Sequence, residues 1–154
     1  MDLFTILEPD AVRVLSGITS KKRLFQELSQ MFEGISGIGS GAALDALLER
    51  ESLGPTGVGH GVALPHARLD EIEHVFGLFV RLDRPLGFDA VDRQPVDLIF
   101  ALFAPQDAGA DHLRALAAVS RSMRNSNTCA KLRANDDPLT LYAILTDKAA
   151  SQAA

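Results

Sequence analysis

A glycine-rich segment that contains His60 precedes His66 in the stretch "GVGHGVALPHARL" at residues 57–69. Gly57, Gly59 and Gly61 alternate along the chain, and Pro65 precedes His66. Alternating glycines clear one face of an extended segment for the approach of another molecule, and proline pushes the residue before it towards extended geometry. An imidazole presented in this way can act as a nucleophile or carry a proton near neutral pH. A tight β-turn followed by an ordinary histidine explains the same spacing, and the pattern alone leaves both interpretations open.

Amphipathic helices are predicted where apolar residues recur at helical spacing. The segments are 20–32, 41–51, 111–123 and 137–147. In the first, Thr19 or Ser20 serves as the N-cap, and in the last Asp137 is the cap with Pro138 at the first helical position. In 111–123 we expect Asp111 to be the N-cap. The residues expected to face the core are Leu24, Phe25, Leu28, Met31 and Phe32 in the first segment, Leu44, Leu47 and Leu48 in the second, and Leu113, Leu116, Ala117 and Met123 in the third.

Two continuous apolar runs, at 75–82 and 96–105, are too short for typical helices and are bounded by turn residues. Such runs are typical of buried strands. Helices before, between and after the strands predict an α/β domain with one sheet covered by helices.

The composition narrows the class of protein. The 154 residues have a formal net charge of −5, which argues against a surface that binds nucleic acid. The longest apolar run, Leu98 to Ala104, is too short to cross a membrane, and the first residues do not resemble a signal peptide. The single cysteine, Cys129, rules out an internal disulfide. We expect a cytoplasmic protein that does not insert into membranes.

The stretch "ESLGPTGVGHGVALPHA" at residues 51–67 resembles the phosphorylation-site signature of type-2 enzyme IIA domains. These domains belong to the phosphoenolpyruvate-dependent phosphotransferase system, in its fructose, mannitol and nitrogen-related branches. The resemblance covers nearly the whole chain, so we expect one such domain at 1–148 and a frayed tail at 149–154. It implies the fold of that family, a single mixed β-sheet flanked by helices.

By this resemblance His66 accepts a phosphoryl group from an HPr-like phosphohistidine carrier (NPr), with a backbone carbonyl holding its other ring nitrogen. Arg50 matches the arginine that binds phosphate oxygens, and His112 matches a second histidine that donates a hydrogen bond to the phosphoryl group. Two structural alternatives stay open: Arg50 could pair with Glu49 or Glu51, and His112 could be a solvated residue in the first turn of its helix.

Weaker candidates surround this set. Thr56, Gly59 and Gly61 are expected to line the site. The carrier is expected to dock on a largely apolar face around the glycine-rich segment, which combines small residues such as Gly59, Gly61 and Ala67 with a few basic groups. Arg68 is expected at the surface. His60 and His74 are also predicted to be surface residues, and Cys129 a small buried hydrophobe. We expect no metal and no cofactor.

We expect a nitrogen-related regulator, because "SKKRLFQELSQM" and "CAKLRANDDPLTLYAIL" resemble segments of that branch and no fused carrier domain or membrane segment is recognisable. Its regulated targets would be of the sensor-kinase or potassium-transporter kind. The main alternative is the IIA component of a fructose- or mannitol-type uptake system. A metallohydrolase built on His60, His66, His74 and His112 lacks metal-ligand spacing. A binding domain that has lost transfer is disfavoured by the presence of His66, Arg50 and His112 together.

Overall fold

The computed structural model describes residues 1–147, so the predicted tail at 149–154 lies outside the described residues. Two short 3₁₀ turns at 3–5 and 9–11 come first. The strands and helices then follow in this order: β1 (Val12–Leu15), α1 (Lys21–Ser36), α2 (Ser40–Ser52), β2 (Gly57–Gly59), β3 (Val62–Ala63), β4 (His66–Leu69), β5 (Phe76–Leu86), β6 (Val96–Pro105), α3 (Ala110–Met123), α4 (Ser126–Arg133) and α5 (Pro138–Leu145).

One mixed sheet forms the centre of the domain, in the order β1-β5-β6-β3-β2, with β4 also paired to β6. β5 and β6 are antiparallel, whereas β1 runs parallel to β5. β6 is buried along almost its whole length, which explains why its sequence is a continuous apolar run rather than an alternating one. The predicted α/β class with a single mixed sheet flanked by helices is confirmed.

The segment that carries His66 runs alongside β6. β3 and β4 are both parallel to β6, with Val62 opposite Leu98 and His66 opposite Leu102. Between them, the carbonyl of Pro65 accepts a hydrogen bond from the Leu102 amide at 2.9 Å. Between β3 and β4 the hydrogen-bond ladder with β6 is interrupted at Pro65, which has no amide hydrogen to donate. This pairing fixes the position of His66 against the most buried strand.

The helices cover the sheet largely as their apolar spacing predicts. All five residues of the stripe expected in α1 are buried, and the Ser20 hydroxyl accepts the Arg23 amide as an N-cap. In α2, Leu47 is buried while Leu44 and Leu48 are partly buried. None of the helices within residues 1–147 is long and apolar enough to cross a bilayer.

Helix α3 is rotated relative to our prediction. It starts at Ala110 after Gly109, so Asp111 is not the N-cap, and its core face includes His112, Ala115 and Val119. Leu113 and Ala117, which we expected in the core, are exposed. The reason is that this helix buries small residues and a histidine against the sheet, a combination that apolar periodicity does not identify.

The turn between β2 and β3 depends on glycine for its own packing. Gly61 has a φ of +77°, and a Cβ at this position would collide with the guanidinium of Arg133 and lie 3.0 Å from Asp97. That guanidinium also donates to both Asp97 carboxylate oxygens and to the His60 carbonyl. The turn is therefore attached to α4 and β6 by a paired arginine.

Replacing Gly61 by alanine should destabilise the protein by about 2 kcal/mol, because a left-handed backbone disfavours a side chain and the Arg133–Asp97 pair must move. Gly34 in α1 is the matched control. A Cβ there meets nothing within 4 Å, so Gly34→Ala should stabilise by about 0.5–1 kcal/mol. Urea unfolding of both variants measures the difference, and equal midpoints would contradict the packing assigned to Gly61.

Candidate functional site

His66 begins β4 with both ring nitrogens already engaged. Its Nδ1 lies 2.9 Å from the carbonyl oxygen of Leu64, and its Nε2 accepts a hydrogen bond from Arg50 Nε at 3.3 Å. A carbonyl can only accept and a guanidinium can only donate, so these partners assign the proton to Nδ1 and the lone pair to Nε2. The backbone carbonyl that holds the ring is that of Leu64, and the ring nitrogen that keeps its lone pair is the one that faces Arg50.

Arg50 reaches His66 from the last turn of α2. Its Nη1 donates to the carbonyl of Gly54 at 2.9 Å, which orients the planar guanidinium while Nε points at the imidazole. Glu51 pairs with Lys21 instead, at 2.9 Å. Arg50 makes no ion pair with Glu49 or Glu51 in the described part of the chain, so the alternative of pairing with a neighbouring acid is wrong. Its donors remain directed towards His66.

His112 stands over His66 from the first turn of α3. The two rings are 5.7 Å apart in an edge-on arrangement, and His112 is only 6% exposed. The alternative of a solvated histidine is therefore wrong. Within residues 1–147 neither ring nitrogen of His112 has a hydrogen-bond partner, which is unusual for a buried polar side chain. Burial, followed by the charges of His66 and Arg68, lowers the pKa of His112 below its ordinary value.

A neutral His112 suits a site that receives an anion. The neutral ring keeps one N–H donor, and it avoids an unpaired buried charge. Its place in the first turn of α3 adds the positive end of a helix dipole to the same region. The structure thus gathers a nucleophilic imidazole, an arginine fork and an uncommitted imidazole donor around one point.

The three residues open into a shallow pocket of about 560 Å³. This volume exceeds that of a phosphoryl group and admits a side chain from another molecule. Leu53 and Leu113 at its edge are 81% and 66% exposed. The other lining residues are Ala46, Glu49, Ala67, Arg68 and Leu116. Leu53 was not predicted at the site and Leu113 was assigned to the core, although Leu53 lies one helical turn after Arg50 and Leu113 directly follows His112.

The three weaker candidates are not among the residues that line this pocket. Thr56 is buried, and its amide and hydroxyl donate to Glu51. Gly59 and Gly61 belong to the neighbouring turn, where Gly59 borders a separate cavity with His60 and Cys129. Beside Gly57 there is no room for another molecule, because a Cβ there would lie 2.8 Å from Ala90. Gly57 and Gly61 are therefore small because of packing within the chain, whereas the nearest atom to a Cβ on Gly59, in Asp92, would lie 3.4 Å away.

The remaining histidines do not converge with His66 and His112. His60 is exposed in the β2–β3 turn, and His74 is exposed with its ring 4.2 Å from that of Phe76. Among residues 1–147 no group of three or more His, Cys, Asp or Glu side chains could hold a metal ion, which contradicts a metal site built from all four histidines. Cys129 is buried as predicted, and burial raises the pKa of its thiol. Arg68 is exposed at the pocket edge, where it donates to the carbonyl of Gln106 at 2.9 Å.

Comparison with known proteins agrees with this geometry. The family model described as "Phosphoenolpyruvate-dependent sugar phosphotransferase system, EIIA 2" matches residues 5–148. A nitrogen regulatory protein of Bradyrhizobium diazoefficiens is 45% identical over 145 residues, which cover 94% of this chain and 95% of that protein. A fructose-specific EIIA component of Haloferax volcanii is 40% identical over 106 residues, or 69% of each chain.

The crystal structure of nitrogen regulatory protein IIA-Ntr from Neisseria meningitidis superposes with a TM-score of 0.85. It is 36% identical and the match covers 92% of this chain and 97% of that one. The nitrogen-related relatives therefore match over a larger share of the chain than the fructose-specific one does. This chain belongs to the type-2 EIIA family of the phosphoenolpyruvate-dependent sugar phosphotransferase system, among its nitrogen-related members.

Proposed function

We propose that the protein is a phosphocarrier that accepts a phosphoryl group on Nε2 of His66 from the phosphohistidine of an HPr-like protein. The observation that carries this proposal is the pair of hydrogen bonds on His66. Leu64 holds the proton on Nδ1, and Arg50 marks the lone pair on Nε2. A neutral imidazole with a fixed tautomer is a competent nucleophile near pH 7 without a separate base.

In the transfer step the Nε2 lone pair attacks the phosphorus of the donor's phosphohistidine. The N–P bond of the donor breaks, and its electron pair returns to the donor's imidazole. The proton on Nδ1 of His66 stays in its hydrogen bond with Leu64, so the protein needs no additional base. One N–P bond replaces another, and the donor supplies the reactive bond.

Arg50 and His112 stabilise the charge on the phosphoryl group as it passes between the two rings. In the resting site Arg50 Nε donates to the nitrogen that will be phosphorylated. Once phosphorus occupies that position, the guanidinium donates to its oxygens instead, which suits its planar fork. The unpaired ring of His112 donates from the other side. Preorganised donors of this kind dominate the catalysis of phosphoryl transfer.

The carrier would dock on the apolar rim of the pocket. Leu53 and Leu113 are large and exposed, and they line the same pocket as Leu116, Ala67 and His66. An apolar contact around the two imidazoles excludes water from the reacting bond, and Arg68 adds a positive charge at the edge. This surface replaces the glycine-rich face that the sequence suggested.

Phosphorylation at this position changes the same surface by about 1.5 to 2 negative charges, which is enough to switch the binding of a target protein. We therefore propose a regulatory role, with targets of the sensor-kinase or potassium-transporter kind. The similarity to nitrogen regulatory proteins over most of the chain supports it.

A strain that lacks the gene tests this role. We expect altered responses to nitrogen or potassium supply and unchanged growth on fructose and mannitol. Loss of sugar uptake alone, restored by the wild-type gene and not by His66→Ala, would favour the transport alternative.

His66→Ala should abolish labelling by the phosphoenolpyruvate-driven upstream carriers, because it removes the nucleophile. The wild-type protein should gain one phosphoryl group that is stable in base and labile in acid. His74→Ala is the matched control, since His74 is exposed and lies outside the pocket. Mass spectrometry of the intact protein measures the label, and full labelling of His66→Ala would refute the assignment.

Arg50→Lys should slow transfer by about 10²-fold, because lysine keeps the charge but loses the fork that contacts Nε2 and Gly54 together. Arg121→Lys, on the exposed side of α3, controls for the exchange itself. Rapid-quench measurement of a single turnover gives both rates. A transfer rate for Arg50→Lys that equals that of the control would show that Arg50 is only structural.

The lowered pKa of His112 predicts a pH-dependent stability. The unfolded chain binds a proton near the ordinary value of 6.5 whereas the folded chain resists it, so unfolding is favoured as pH falls. The contribution is complete above pH 6.5 and is lost as the pH falls through the lower folded-state pKa. Urea unfolding at pH 7.5 and 5.5 should show a larger loss for wild type than for His112→Gln. Equal losses would contradict a buried neutral His112.

A further inference from the structure

Glu51 lies beneath the site and outside its pocket. Its side chain is only 8% exposed. One carboxylate oxygen accepts the Thr56 hydroxyl at 2.6 Å, and the other accepts the Thr56 amide at 3.0 Å and the Lys21 ammonium at 2.9 Å. A buried carboxylate is tolerated only when it is paired and hydrogen-bonded, so this group holds its partners in a definite place.

Thr56 transmits this constraint to His66. The carbonyl of Thr56 accepts the Leu64 amide at 3.0 Å, and the carbonyl of Leu64 accepts the proton on His66 Nδ1 at 2.9 Å. Glu51 therefore binds one side of Thr56, while the other side binds the residue that sets the tautomer of the nucleophile. Three consecutive hydrogen bonds connect the carboxylate to the imidazole.

The same turn also fixes Arg50. Glu51 follows Arg50 in the last turn of α2, and its own carbonyl accepts the Gly54 amide at 3.2 Å. The Gly54 carbonyl in turn accepts Arg50 Nη1 at 2.9 Å. The turn that connects α2 to β2 thus carries the acceptor that orients the guanidinium, and it is closed by the Glu51–Thr56 contact.

We propose that Glu51 is a positioning residue for the transfer reaction. Acting through Thr56, its carboxylate sets both the orientation of Arg50 and the Leu64 carbonyl, and it thereby keeps the proton of His66 on Nδ1. Lys21 supports the carboxylate from α1. This inference rests on the proposed function, because it names the group that prepares His66 to receive the phosphoryl group.

Thr56→Val and Thr56→Ser test the inference as a pair. Valine keeps the branched shape and removes the hydroxyl that binds Glu51, whereas serine retains the hydroxyl. We expect Thr56→Val and Glu51→Gln to lower the single-turnover rate at saturating phosphorylated carrier by about 10- to 100-fold. The carrier concentration that gives half of the maximal rate should change little, because a misplaced His66 or Arg50 alters the reacting geometry and not docking. Thr56→Ser should keep the wild-type rate, because serine retains the hydroxyl. Asp45→Asn, exposed on the same helix, controls for loss of one charge.

The ¹⁵N shifts of the His66 ring provide a second readout that needs no carrier. Wild type and Thr56→Ser should show one tautomer with Nδ1 protonated, and Thr56→Val and Glu51→Gln should show a mixture. Folded variants with lower unfolding midpoints but unchanged ring shifts and transfer rates would overturn the inference. Failure of wild type to accept a phosphoryl group would overturn the proposed function instead, while the ring shifts would still decide the role of Glu51.

Discussion

The hydrogen bond between His66 Nδ1 and the Leu64 carbonyl is the constraint on which the site depends. It places the proton on one ring nitrogen and leaves the other free to attack. The bond is local in sequence, but its geometry is imposed from outside: Pro65 and His66 are paired with β6, and the Leu64 amide is paired with Thr56. Since β6 is buried on both faces, the histidine is attached to the least mobile part of the sheet.

The candidate site buries little charge, and this determines which groups it can bind. His112 is kept neutral by burial, and Arg50 directs its positive charge at His66 rather than at a carboxylate. Within the described residues neither Arg50 nor His112 is paired with a carboxylate, so these two donors lack an anionic partner in the resting site. In the proposed function, a phosphoryl group supplies the acceptor that the buried ring nitrogens of His112 lack within residues 1–147.

Much of the architecture could be predicted from sequence, because hydrophobic spacing reports burial directly. The apolar stripe of α1 and the bounds of β6 are confirmed, and the fold class follows from them. β5 extends beyond its apolar run to Leu86. Its backbone pairs with β6 again at Leu86, opposite Val96, after an irregularity that follows Arg81, and apolar spacing does not report such pairing. β1 was missed because a four-residue strand next to a 3₁₀ turn has too few residues to show a period.

The candidate site was only partly predictable. The motif around His66 and the family resemblance that named Arg50 and His112 pointed to three residues that the structure brings together. Apolar spacing does not show that Leu113 is exposed, because an exposed and a buried leucine contribute equally to a sequence pattern. Thr56 was expected to line the site, yet its side chain is buried and its hydroxyl binds Glu51. Such roles depend on partners that only the folded chain supplies.

The central claim is that Nε2 of His66 is the atom that carries the phosphoryl group. Phosphorylating ¹⁵N-histidine-labelled protein with the upstream carriers, then recording ³¹P–¹⁵N couplings and ring proton correlations, identifies that atom. The account predicts one phosphorylated residue, His66, with phosphorus on Nε2 and a proton on Nδ1. Phosphorus on Nδ1 of His66, or on His112, would contradict it.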